Sequence, residues 1–289
     1  MKTLLINLAA LLILLLSLNG CSKNKIIKPL VYKAQPDENS AVTDSAFDGK
    51  IINDIAFAKE RDWNGNSVTL AMDIYIPSSV KDTGKLPLVV SIHGGAFEFG
   101  DKSEIAAACQ LLASKGYIVA AINYRLGWNW IDKNDPNHCL ADTATLDEAW
   151  YRAQQDTRAA FRFLAANASK YSIATKWMFV EGSSAGAEAA LGVAYFTQDT
   201  ADIYLHGISD TLGLLDNSGN KLKNTYKIKG VASMWGAMRN PDFITAENAV
   251  PTIFFHGMLG KGVPYNVGHY WDCDNFAIAY GSKRSEERV

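Results

Sequence analysis

The sequence predicts an α/β fold: a mostly parallel, doubly wound sheet that opens with an antiparallel hairpin. Three observations lead there. Short, nearly continuous apolar runs recur along the chain, as in strands covered on both faces. Amphipathic helical stretches alternate with them. The first two runs instead alternate apolar with polar residues and flank Asn64-Gly65-Asn66, a turn sequence.

In chain order, the first element is an address. Met1-Lys2 carries one positive charge, and Leu4 to Leu18 is apolar apart from Asn7 and Ser17. As a helix that run would be roughly 22 Å long at about 1.5 Å per residue, short of the ~30 Å hydrocarbon core. A cleaved export signal over residues 1–20 fits better. Leu18-Asn19-Gly20-Cys21 resembles the lipobox of bacterial lipoproteins, which implies acylation of Cys21 and anchorage to a bilayer in the cell envelope; an ordinary signal peptide is the alternative. Residues 21–45 are polar with Pro29 and Pro36 and read as a tether. The folded domain is expected over residues 46–289, C-terminally incomplete, with a last strand and helix missing.

Within it, Ile51 to Phe57 and Val68 to Ile76 are the hairpin strands. Leu86 to Ile92, Tyr117 to Asn123, Trp177 to Val180, Ile228 to Met234 and Thr252 to Phe255 are the parallel candidates. Helices are expected over Ser103 to Ser114, over Leu146 to Ala168 with an apolar stripe from Leu146 to Leu164, and over Ala185 to Phe196. Leu126 to Thr145 and Thr197 to Tyr226 are long irregular connections, and the first of them, leaving a central strand, is read as functional. A last helix is expected to begin near Asn275.

Composition narrows the function. The 289 residues are 48% hydrophobic, enough for one large core, and Lys+Arg 28 against Asp+Glu 30 leaves no patterned charge for a nucleic acid. Neither the 4 Cys nor the 5 His have zinc-site spacing, so no metal and no cofactor are expected.

Two motifs carry chemistry. Gly182-Ser183-Ser184-Ala185-Gly186 fits G-x-S-x-G between an apolar strand and an Ala-rich helix, the setting of a nucleophile elbow. The turn is tight, so the positions two away from Ser184 must lack side chains. His93-Gly94-Gly95-Ala96-Phe97 follows another apolar strand. Its glycines let backbone N–H groups approach an oxyanion. Both motifs fall at carboxyl ends of sheet strands, where ligands bind in such folds.

With Ala121-Ile122-Asn123-Tyr124-Arg125-Leu126 and the helix from Asp156 to Leu164, these motifs make the segment from about Phe57 to Tyr265 resemble α/β-hydrolase carboxylesterases of the hormone-sensitive-lipase-like and feruloyl-esterase-like type. The resemblance implies that Ser184 is the nucleophile of a serine acyl-enzyme and that the Gly95, Ala96 and Ala185 amides form the oxyanion hole. Gly94 then shapes the loop and His93 supports it.

The same resemblance places an acid in a segment like His-Gly-x-x-Asp, but here His256-Gly257-Met258-Leu259-Gly260 has glycine at that position. Asp242, Asp272 and Asp274 are the substitute acids to consider, and His269 is the one histidine downstream. Cys139 and Cys273 both fall at the catalytic edge and are expected to pair in an oxidising envelope, two free thiols being the alternative; Cys109 is expected as a buried thiol. Phe97, Phe99, Trp128, Trp130, Trp235 and Tyr265 sit on or beside strand-end loops and suggest an aromatic pocket. The leading expectation is a membrane-anchored carboxylic-ester hydrolase acting on a small-molecule ester. The alternatives are an impaired esterase-like lipoprotein and a serine peptidase of the same fold.

Overall fold

A two-residue period decides how the central strands divide the core. In β4 (Ile118–Ile122), Ile118, Ala120 and Ile122 join the larger apolar cluster, whereas Val119 and Ala121 face the opposite way into a smaller one with Tyr75, Cys109 and Ala113. The computed structural model describes residues 47–132, 134–135 and 139–288. The export signal over 1–20, the tether over 21–45 and the acylation position Cys21 lie outside the described residues.

The main sheet runs β1 (Gly49–Arg61), β2 (Ser67–Pro77), β4, β3 (Leu86–Ile92), β5 (Ile173–Ser183), β6 (Ile228–Met234), β8 (Thr252–Phe255). The β1–β2 and β2–β4 pairs are antiparallel and the remaining neighbours parallel, the architecture expected from the sequence. On the face of the smaller cluster lies α1 (Ala106–Ser114), which buries the free thiol of Cys109. Burial pushes that thiol up to about 12, so it stays protonated and inert. The larger cluster takes α2 (Thr143–Ala166) and α3 (Ala185–Tyr195).

The stripe Leu146, Trp150, Ala153, Thr157, Phe161 and Leu164 of α2 is buried as its spacing requires. So is most of the opposite, polar face, including Gln155, Asp156 and Arg162. The cover comes from the second long connection. It is not irregular throughout but forms two short helices, α4 (Gln198–Tyr204) and α5 (Ile208–Leu212), followed by a strap across α2. Gln155 Nε2 donates to Leu212 O at 2.8 Å and Arg162 Nη2 to Ser218 O at 2.6 Å. Asp156, fully buried, accepts from the Arg125 backbone N–H at 2.8 Å and pairs with its guanidinium at 2.8 Å. A buried carboxylate is tolerable only when satisfied in this way.

The helix expected from near Asn275 is replaced by a strand. Ile278–Gly281 forms β10, between β7 (Ala237–Met238) and β9 (Val267–His269) in a second, three-stranded sheet. Backbone partners on both sides override local helix preference here: Tyr280 pairs with Met238 and Val267, and Ala279 is fully buried.

Candidate active site

The strand β5 ends in the elbow, and three facts fix its shape. Ser184 has φ 51 and ψ −122, a region that costs a non-glycine residue on the order of 1–3 kcal/mol and persists only when its surroundings enforce it. A Cβ on Gly182 would stand 2.2 Å from Gly186 O, and one on Gly186 would stand 2.2 Å from Ile92 O at the end of β3. The Ser184 N–H donates to Met234 O at the end of β6, 2.9 Å away. Serine at the head of a helix commonly spends its hydroxyl capping the first turn; Ser184 makes no such bond, so its Oγ is not used up in holding α3.

Facing the elbow is the loop after β3. Gly95 has φ 110, and a Cβ there would lie 1.9 Å from Phe99 O; Ala96 and Phe97 follow with φ 52 and 58. Five successive carbonyls of this loop accept hydrogen bonds. Tyr124 Oη donates to His93 O at 3.1 Å and Gly94 O at 3.2 Å, and the Glu98 N–H donates to Gly95 O at 2.9 Å. Trp128 Nε1 donates to Ala96 O at 2.8 Å, and the Gly127 N–H to Phe97 O at 2.8 Å. The His93 ring stacks on Tyr124 at 4.5 Å and donates from Nδ1 to Gly94 O at 2.7 Å, and burial lowers its pKa. It is a neutral strut of the loop.

Ser184, Ala185, Gly95 and Ala96 line one cavity of about 250 Å³. Gly94 does not line it but stands behind, where a Cβ would meet Ser183 O at 3.0 Å. Of the six aromatics singled out in the sequence, Phe97 and Phe99 reach the cavity wall. Trp128 is buried behind, Trp130 sits 4.2 Å from it and 5.4 Å from Trp271, Trp235 is half-exposed, and Tyr265 packs on His256. Leu146, Val263 and Trp271 complete the apolar side. Cys139 and Cys273 form a disulfide, Cα atoms 5.3 Å apart, and Asn275 Nδ2 donates to Cys139 O at 2.7 Å. Together they tie the first long connection to the segment carrying Trp271.

Sequence reasoning missed the polar end of the cavity. Glu188, Arg239 and Tyr270 line it; Glu188 and Tyr270 are buried, and the Arg239 side chain is 9% exposed. Tyr270 Oη donates to Glu188 Oε2 at 2.9 Å, and Arg239 Nη2 pairs with Asp147 Oδ1 at 2.8 Å while its guanidinium lies over the Tyr270 ring at 5.2 Å. Burial pushes the Glu188 carboxyl up to about 7, against the opposing pull of Arg239 and the Tyr270 hydroxyl. Spacing alone would have found Glu188, one helical turn after Ser184. Nothing local marks Arg239 or Tyr270.

The structure does not bring the other expected catalytic groups to this cavity. His269 Nδ1 engages Phe276 O at 2.6 Å, and His256 Nδ1 bonds Ser282 Oγ at 2.8 Å; among the described residues no histidine lines the cavity. Asp242 pairs with Arg288 on the surface, while Asp272 and Asp274 are exposed and outside the lining. Gly260 is exposed, and a Cβ there would find nothing nearer than Gly257 O at 3.6 Å.

Residues 72–245 match the BD-FAE family model. Carboxylesterase 1E of Mus musculus is 26% identical over 180 residues, 61% of this chain and 30% of that protein. Carboxylesterase 1C of Rattus norvegicus is 35% identical over 94 residues, 32% of this chain and 17% of that protein. The chain thus spans less than a third of the length of these curated relatives. Esterase 2 of Thermogutta terrifontis, in its paraoxon-phosphorylated form, superposes with a TM-score of 0.50 at 17% identity, over 75% of this chain and 73% of that one, a likeness of fold. With the family model matching more than half of its length, the chain belongs to the BD-FAE family.

Proposed function

We propose that this chain hydrolyses small carboxylic esters through an acyl-enzyme at Ser184. The observation that carries the reading is the elbow itself: Ser184 is held at positive φ, spends no hydroxyl on a cap and opens into the cavity beside Gly95, Ala96 and Ala185. Ser184 Oγ attacks the ester carbonyl carbon, and the negative charge moves to the carbonyl oxygen. The Ala185 N–H at the head of α3 and the Gly95 and Ala96 amides stabilise it, each donor worth about 3–4 kcal/mol in comparable sites. Collapse breaks the ester C–O bond and the leaving oxygen takes up the proton that Ser184 Oγ gave up, departing as the alcohol; water then adds to the acyl carbon and frees the acid as a proton returns to Ser184 Oγ. The expected test result is fluorophosphonate labelling and p-nitrophenyl acetate hydrolysis, with Ser184→Ala abolishing the label and lowering turnover at least roughly a thousandfold. Equal turnover by Ser184→Ala would sink the reading.

A second reading, a pocket that binds esters with little turnover, is favoured by Gly260 and by the lack of an imidazole lining the cavity among the described residues. Binding without label or hydrolysis selects it. The reading further includes export and acylation at Cys21, so that the domain acts from a membrane surface in the envelope. Metabolic palmitate incorporation that disappears in Cys21→Ser supports this part, and equal incorporation removes it.

A further inference from the structure

Buried ionisable groups are expensive unless paired, and an apolar cavity is the least favourable place to leave them without a partner. The cavity at Ser184 nevertheless has one polar end. Glu188 lies four residues, about one helical turn, along α3 from Ser184, about 6 Å of rise, and its N–H donates to Ser184 O at 3.0 Å. Its Oε2 is held by the Tyr270 hydroxyl. Arg239, with a side chain 9% exposed, is held by Asp147, and its buried Nε has no hydrogen-bond partner. The groups facing Glu188 are thus Arg239 beyond β7, Tyr270 after β9, Asp147 behind Arg239 on α2, and Tyr124 after β4. Apart from Ser184, Gly95 and Gly262, the rest of the wall is aliphatic or aromatic.

From this arrangement, and resting on the ester-hydrolase reading, we propose that Glu188 and Arg239 select short aliphatic esters whose acyl part carries a hydroxyl on about its third carbon. Asp147 already neutralises Arg239, so the pocket end holds no spare positive charge for an anionic substituent. A hydroxyl satisfies both sides at once: it donates to the Glu188 carboxyl and accepts from the Arg239 guanidinium. The reach is set by the helix, because a group one turn from Ser184 Oγ corresponds to a few bonds beyond the reacting carbonyl carbon. The cavity of about 250 Å³ is below the ~300–1,000 Å³ of drug-sized sites, which favours a short chain. Sites built to hydrogen-bond a hydroxyl reject analogues that lack it, because the buried partners are then left bare.

The test compares methyl 3-hydroxybutyrate with methyl butyrate, binding being measured by saturation-transfer NMR on the full Ser184→Ala chain and kcat/KM on the native chain. We expect the hydroxy ester to bind at least about tenfold more tightly, a preference that falls to within about twofold in Arg239→Met and in Glu188→Leu. Tyr270→Phe, which only frees the Glu188 carboxyl, serves if either variant fails to fold, and it should reduce the preference in part. Equal binding of the two esters, no detectable binding of either, or a preference found only for 2-hydroxypropyl acetate, whose hydroxyl is on the alcohol side, overturns the proposal. The two readings fail separately. Ser184-dependent hydrolysis without hydroxyl preference removes the selectivity alone, and hydroxyl-selective binding without Ser184-dependent hydrolysis removes the hydrolase reading alone.

Discussion

Two walls of the cavity are built in opposite ways. At the elbow, glycines let backbone touch backbone: Gly182, Gly186 and Gly95 each have a backbone atom within 2.2 Å of where a Cβ would sit. On the other side, the segment from His256 to Val263 is an open surface turn. Met258 is 74% and Leu259 93% exposed, and nothing crowds Gly260. The elbow and the loop after β3 are therefore over-determined by packing, while the segment that the resemblance assigns to the acid is held at its ends, by His256 with Ser282 Oγ and by the Trp271 N–H donating to Gly262 O, and is open at its tip. One wall resists substitution and the other invites it.

The largest expected effect tests what ties the open side down. The Cys139–Cys273 bond closes a loop with a sequence separation of 134 residues. By loop entropy, replacing both cysteines by serine is expected to destabilise by about 5 kcal/mol, read as a lower urea midpoint. A midpoint unchanged on reduction would mean that the segment after β9 is held without it. Next, Gly186→Ala drives a methyl into Ile92 O and should cost about 3 kcal/mol. A loss under 0.5 kcal/mol would show the elbow to be looser than its contacts imply.

The polar end of the cavity should make stability depend on pH. Glu188 titrates near 7 in the folded chain against an ordinary value of 4.5, so the folded state binds the extra proton between those values. Its contribution is fully present below pH 4.5 and is lost as pH rises through 7, on the order of a few kcal/mol. Urea midpoints at pH 5 and pH 8 should therefore differ more in the native chain than in Glu188→Gln, and equal differences would place Glu188 outside the buried cluster. The smallest effect belongs to the open turn. Gly260→Asp should change stability by less than about 0.5 kcal/mol, and a larger loss would mean the turn is more constrained than its exposure indicates.

This contrast also explains what could be read from the sequence. The central strands and both glycine motifs were legible because each is governed by a local rule: a two-residue period, continuous apolar runs, or a steric demand for glycine. Thus β6 and β8 fall where their apolar runs do, from Ile228 to Met234 and from Thr252 to Phe255. The three-stranded sheet was not legible, since β7 has two residues and β9 three, too few for a period. Nor was the burial of Gln155 and Arg162, which depends on a strap more than fifty positions away. Within the site, Ser184 and Ala96 were visible as motif members. Arg239 and Tyr270 were not, because chain reversal alone brings them to Glu188.

The five satisfied carbonyls from His93 to Phe97 have one more consequence. With every C=O of that stretch accepting from Tyr124, Trp128 or the Glu98 and Gly127 backbone N–H groups, the peptide dipoles are oriented before any ligand arrives. A tetrahedral adduct at Ser184 would thus meet a fixed electric field and induce little reorganisation, because the work of alignment was done when the chain folded.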